Sequence, residues 1–320
     1  MRYDYAGMGF YTFDCLGWPV EGMPPDGDTH FIRDFTLAVS GAAGTAVIAA
    51  AKLGLGCLAV GGYGRDAMGD WAVERIERFG IDTSGLERFD DVPTSSSMIL
   101  TRIDGSRPAL HLKGATGAFT VAEEDFDRVT DARVFHLGGV GLMDAMDGAR
   151  NASLMRRARE RGCITTVDVF AGSAADLPDV EAVLPFTDYF IPSIEEARAL
   201  SGLAGLEEMS GFFHARGATC CVITLGADGA FYHHRNGTRL LVPAYDVEVV
   251  CTCGCGDVFN AGFAVGVLRG MSPRDCVRLG SACSALNATG LGSQAGIVDL
   301  AGTLAFMEER PVRRSLAAGG

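Results

Sequence analysis

The 320-residue chain has little that would tie it to nucleic acid or to a bilayer. It carries 27 Lys and Arg against 40 Asp and Glu, a formal charge of −13, and no run of basic residues. Phosphate backbones are bound through clustered Lys and Arg, so no nucleic-acid partner is expected, although local geometry can still hold a small anion. The opening stretch MRYDYAGMGFYTFDCLGW lacks the basic start and continuous apolar region of a secretory signal, and nothing later reaches membrane-spanning length. The expectation is a cytoplasmic protein without membrane contact. No GxxxxGK followed by Ser or Thr occurs, which excludes a Walker-type phosphate loop. The ten cysteines form no dense framework, and Cys251, Cys253 and Cys255 have an x-one spacing unlike that of zinc knuckles. They read as reduced thiols.

What is present is a soluble, globular composition, 48% hydrophobic and 21% charged, on a chain long enough for a large core. Short apolar strands are predicted at Tyr5 to Phe10, Cys57 to Gly61, Val134 to Leu137, Ile164 to Val167, Tyr189 to Ile191, Cys220 to Thr224 and Val247 to Val250. Helical periodicity falls between them at Gly44 to Leu53, Met68 to Phe79, Ala149 to Arg161, Ile194 to Ser201, Asp257 to Arg269 and Pro273 to Thr289. This alternation predicts an α/β fold, a mostly parallel central sheet flanked by helices on both faces. Two regions, Asp28 to Val39 and Ser95 to Leu112, are β-patterned without helices and predict a small attached sheet. Hairpin turns are expected at RIDGSR (Arg102 to Arg107) and on Asn236-Gly237.

The stretch VEVVCTCGCGDVFNAGFAVGVLRG places a glycine turn before a helix headed by Asp257. Glycines at 254 and 256 free the backbone so that consecutive N–H groups converge, and the helix N-terminus adds its dipole, which together make an anion hole. An isolated GxGD is more often a plain helix cap. Gly262 and Gly266 leave a narrow helix face for packing against a sheet. Gly62, Gly64 and Ala67 also read as GxGxxA after a strand, with Asp82 near the distance of a ribose-binding acid, a weak dinucleotide signal.

Four stretches in order resemble the ribokinase-like (PfkB) family of sugar and nucleoside kinases over nearly the whole chain: SGAAGTAVIAAAKLGLGCLAVGGYGRDAMGD, DYFIPSIEEARALSG, VITLGADGAFYH and CTCGCGDVFNAGF. The resemblance implies one kinase domain over residues 1–320, with a lid at about 12–39 and 92–114 and a frayed tail at 311–320. It implies ATP and Mg²⁺ as cofactors and Asp257 as the base that takes the acceptor hydroxyl's proton, with Gly254, Cys255 and Gly256 supplying backbone donors. By the same resemblance Asp14, at the end of the first strand, accepts a sugar hydroxyl, and Gly41 and Thr45 meet the substrate. Ser193, Thr224, Gly226 and Gly229 shape the nucleotide side, and Glu196 helps organise the metal. Asp168, at a strand end, faces the same crevice. The dinucleotide match falls inside the opening signature and loses its force.

The departures are Ser40 for the first glycine of the opening signature, Thr45 for an asparagine, Ser193 for the asparagine before Glu196, and Cys251 for an aspartate that helps hold K⁺ in potassium-activated members. A thiol is a poor ligand for a hard cation, so weak or no activation by a monovalent cation is expected. The implied acceptor is a hydroxymethyl group of a small sugar. Arg102, Arg107 and Lys113 fit a sugar acid or sugar phosphate instead, and Phe10, Phe13, Trp18, Phe31 and Phe35 leave a nucleoside kinase open. A non-catalytic binding protein is a further alternative. Similar proteins suggest a homodimer through the lid.

Overall fold

The structure is a computed structural model that describes residues 1–170 and 172–313. Its strands in chain order are β1 (Tyr3–Gly9), β2 (Thr12–Trp18), β3 (Asp34–Ser40), β4 (Cys57–Gly64), β5 (Asp82–Phe89), β6 (Ser96–Leu100), β7 (Ala109–Leu112), β8 (Ala132–Val140), β9 (Ile164–Val169), β10 (Tyr189–Phe190), β11 (Cys220–Thr224), β12 (Ala230–His234) and β13 (Arg239–Val242). Among the described residues nine form one sheet in the order β13-β12-β11-β10-β9-β8-β1-β4-β5, and four form a second in the order β3-β2-β6-β7. The inner strands pair in parallel, while the hairpin β12–β13 closes one edge antiparallel. Strands such as β8 and β4 are buried almost throughout, as parallel strands covered on both faces must be.

Two apolar layers hold the helices. Helices Ala149–Glu160, Ile194–Ser201 and Leu206–Ala215 cover one face through Leu154, Ala197 and Phe213. Helices Ala42–Lys52, Cys255–Leu268 and Pro273–Ala288 cover the other through Val47, Ala261 and Leu279. Gly262 and Gly266 serve helix–helix contact rather than the expected sheet packing: a Cβ on Gly262 would lie 2.6 Å from Cys283 Sγ, and one on Gly266 2.9 Å from Cys276 Cα. Among the described residues no helix is long and apolar enough to cross a membrane.

The small sheet stands over the carboxyl ends of the main strands. Its register aligns Ala38, Asp14, Ser97 and His111 in one cross-strand row, and Leu37, Cys15, Met98 and Leu110 in the next. Side chains alternate along a strand, so the first row faces the cleft and the second faces outward.

Three expectations need correction. Val247–Val250 is not a strand: the Val250 N–H donates to the Ala288 carbonyl at the end of a helix instead of joining a ladder. The first strand ends at Gly9, so Asp14 lies within lid strand β2. Residues 311–313 are tied down, Asp246 N–H donating to Pro311 O and Arg313 N–H to Ala244 O; 314–320 lie outside the described residues. Asp82 accepts a 2.6 Å bond from the Tyr3 hydroxyl, and Gly64 packs against the backbone of residues 92 and 94, so neither is free for a dinucleotide.

Candidate active site

A cleft of about 530 Å³ separates the lid from the main sheet. The sheet brings Asp168 to it from the end of β9, with Ser193, Glu196, Thr224 and Gly226 from the β10 and β11 ends. A parallel bridge between Ser193 and Thr224 sets these two ends side by side. Three helices start at the cleft, after Gly41, Ser193 and Gly254, so their positive dipole ends face its many carboxylates.

Residues distant in sequence hold the cradle at residues 251–257 in shape. Gly254 has φ +74°, and a Cβ there would sit 2.9 Å from both Ser293 Oγ and Thr45 Cγ2, so only glycine fits. Buried Asn287 donates to Cys253 O at 2.7 Å and accepts from Gln294 N–H, and the Ser284 hydroxyl donates to Cys255 O at 2.9 Å. The N–H groups of Gly254, Gly256 and Asp257 find no acceptor among the described residues, whereas that of Cys255 turns back to Thr252 O at 3.3 Å. A Cβ on Gly256 would meet open space, which is the cleft itself. Beyond the cradle lies a second cavity of about 250 Å³ lined by Gly229, Tyr245, Val249 and Phe259. The two cavities share Thr224, Gly226, Thr252, Cys255 and Gly256, so the cradle is the wall at which they meet.

On the lid side, Asp14 is 3% exposed and its Oδ1 has no hydrogen-bond partner. An unpaired buried carboxylate oxygen is costly and calls for a donor from a ligand. Ser97 Oγ lies 3.1 Å from His111 Nδ1, and Ser40 Oγ 2.9 Å from Ser293 Oγ, which extends the polar wall. Phe10 and Phe170 pack edge to face at 6.0 Å, with an 82° angle between their planes.

The profile of the pfkB family of carbohydrate kinases matches residues 18–300. The chain belongs to this family. It is a sugar kinase. It is 23% identical to the 2-dehydro-3-deoxygluconokinase of Bacillus subtilis, over 85% of this chain and 87% of that protein. It is 26% identical to the ribokinase of Haemophilus influenzae, over 88% and 91%. A ribokinase from Arabidopsis thaliana solved with ribose and ATP superposes with a TM-score of 0.81 at 22% identity, covering 96% of this chain and 99% of that one. The fold is therefore that of ribokinase, with the second sheet in the position of its lid.

In this kinase the carboxylates of the cleft raise one another. Burial pushes Asp168 well above the usual range, and the charges of Asp257 and Glu196 add to the shift. Burial also raises Asp257, while the positive charge of Arg107 opposes the rise. Glu196 is raised by burial and held back by its bonds from Ser193. Asp14 is raised by burial, with the nearby Ser97 and Ser40 hydroxyls holding the rise back, and burial keeps His111 below the ordinary histidine range.

Of the residues singled out in sequence, Asp14, Gly41, Ser193, Glu196, Thr224, Gly226, Gly254, Cys255, Gly256 and Asp257 line the cleft, and Gly229 lines the adjoining cavity. Thr45 does not: it is fully buried behind the cradle, its hydroxyl without a partner. Of the three lid cations, Arg107 enters the cleft, Lys113 is paired with Asp144 at 2.7 Å, and Arg102 is exposed away from it. Phe10 alone of the five aromatics lines the cleft; Phe13 packs on Trp71, Arg33 lies over Trp18, and Phe31 and Phe35 are exposed. Phe170, His111, Ser97 and Asn287 had no local signal, because the fold alone brings them to the site.

Proposed function

We propose that the kinase transfers the γ-phosphoryl group of ATP to a hydroxymethyl group of a small sugar or sugar derivative. The observation that carries this reading is the cradle of unpaired N–H groups at the wall shared by two cavities, with Asp257 at its edge. The larger cavity takes the acceptor, and the smaller one, lined by Gly226 and Gly229, takes the nucleotide. Asp14 accepts a sugar hydroxyl through its orphaned oxygen, beside Gly41 where a helix N-terminus opens onto the cleft. Asp257 accepts the proton of the attacking hydroxyl. The N–H groups of Gly254, Gly256 and Asp257 hold the charge on the moving phosphoryl oxygens, with Cys255 contributing its place in the turn.

Mg²⁺ suits the donor set, since it commonly needs only one or two carboxylates besides phosphate and water, and Glu196 and Asp168 are crowded carboxylates that a cation relieves. When bound, it would neutralise charge between the phosphates. Cys251 lies fully buried with Leu16, Ile99 and Cys253, its sulfur 3.7 Å from the Thr101 hydroxyl, which is no setting for K⁺. The perpendicular Phe10 and Phe170 make a shelf rather than parallel plates for a base, which favours a sugar over a nucleoside. The outward row Leu37, Met98 and Leu110, with Phe35 and Leu112, leaves an exposed apolar face on the lid that a second copy would cover.

The test is ADP release with ATP and Mg²⁺ across a panel of sugars, sugar acids and nucleosides. Turnover with a sugar or sugar acid supports the reading. Ligand-induced stabilisation without any ADP would replace it with a binding protein.

A further inference from the structure

The hairpin between β6 and β7 has its tip exposed at Arg102, Ile103 and Asp104. It nevertheless reaches the cradle and the stretch just before it at three points. The Thr252 hydroxyl donates to Gly105 O at 3.0 Å. Gly105 sits so close to Val249 that an added Cβ would lie 2.7 Å from Val249 Cγ1. Thr101 Oγ1 lies 3.7 Å from Cys251 Sγ. Among these, the Thr252 bond is the hydrogen bond to an N or O acceptor that runs from cradle to lid tip.

Two residues past Gly105 stands Arg107. It lines the cleft with Cys253, Gly254, Cys255, Gly256 and Asp257, and no carboxylate among the described residues lies within ion-pair distance of it. A guanidinium left unpaired in a cleft of carboxylates is placed for an anion that arrives there, and its fork of donors suits phosphoryl oxygens. Its position depends on where the hairpin is held.

Resting on the kinase reading above, we propose that Thr252 is a positioning residue: its hydroxyl latches the lid hairpin to the phosphate cradle through Gly105 and so holds Arg107 where the phosphoryl group moves. Closure of the lid over the acceptor and completion of the charge around the phosphate then become one event. The latch is a single neutral hydrogen bond, so losing it shifts the closed population by a factor of roughly 3 to 10.

The experiment is a double-mutant cycle on kcat/KM, with ATP, Mg²⁺ and a sugar that gives ADP with the parent protein. Thr252→Val keeps the shape and removes the donor; Thr252→Ser restores it. The expected result is about a five-fold loss in Thr252→Val, recovery in Thr252→Ser, and little further loss when Thr252→Val is added to Arg107→Ala. Unchanged activity in Thr252→Val overturns the latch. An equal loss in both backgrounds overturns its action through Arg107. If the parent releases no ADP with any sugar, the kinase reading beneath it fails instead.

Discussion

Ser193 and Glu196 are joined by three hydrogen bonds: Glu196 Oε2 accepts from the Ser193 N–H at 2.8 Å and from its hydroxyl at 2.7 Å, while the Glu196 N–H donates to Ser193 Oγ at 3.2 Å. This capping box starts the helix Ile194–Ser201 and fixes Glu196 at the cleft wall. The serine at this position thus orients the carboxylate by itself. Ser193→Ala should cost about 1 kcal/mol in denaturant unfolding. Glu196→Gln should raise the Mg²⁺ concentration for half-maximal rate more than it changes the sugar KM, measured by Mg²⁺ titration.

The acid limb of the pH profile should report Asp257. Its carboxyl is raised by burial and restrained by Arg107, so kcat/KM should fall with decreasing pH at values above the ordinary aspartate range. Removing the restraining charge raises the pKa further. Arg107→Ala should therefore move the limb to higher pH, and Arg107→Lys should leave it near that of the parent; a shift to lower pH in Arg107→Ala would contradict the assignment.

Asp168 makes a prediction about stability. It holds its proton more tightly folded than unfolded, so folding takes up a proton between the ordinary carboxylate pKa and the raised one, and stability falls as pH rises through that window. The parent therefore carries more of the cost of ionising this buried group at pH 7 than at pH 4. Asp168→Asn should be more stable than the parent at pH 7 by about 1 kcal/mol or more, and the difference should shrink toward pH 4. Denaturant unfolding at both pH values checks it.

Equal rates in K⁺ and in Na⁺ salts are expected, because Cys251 occupies an apolar, thiol-lined pocket. A large K⁺ stimulation in a steady-state assay would show that backbone oxygens alone make a site.

The outward face of the lid predicts the oligomeric state. Leu110, 58% exposed, lies on the outer row away from Asp14 and His111. Leu110→Asp should convert a dimer to a monomer in sedimentation, with the fold retained.

Much of this architecture is legible in sequence where period and punctuation agree. Helix Ile194–Ser201 has Ser193 as its cap and Gly202 in the left-handed region at its end, and both boundaries can be read directly. Helix Leu206–Ala215 cannot, since it starts at Gly205 without a side-chain cap and carries Gly211 inside it. The alternating valines of Val247–Val250 mimic a strand because Val247 and Val249 both line the second cavity while Glu248 between them is exposed, which gives the same pattern. Asp257 and its glycines are marked by a local motif. Asn287 and Phe170 are placed by tertiary contact, and Arg107 gains its meaning only from the hairpin that carries it.

The central claim is that Asp257 takes the acceptor's proton beside the phosphate cradle. Asp257→Asn keeps the size and polarity of the side chain and removes the base. Steady-state ADP release with ATP, Mg²⁺ and the accepted sugar, alongside binding of each ligand, should show kcat reduced about 10²- to 10⁴-fold with both affinities retained. A kcat near that of the parent would contradict the account.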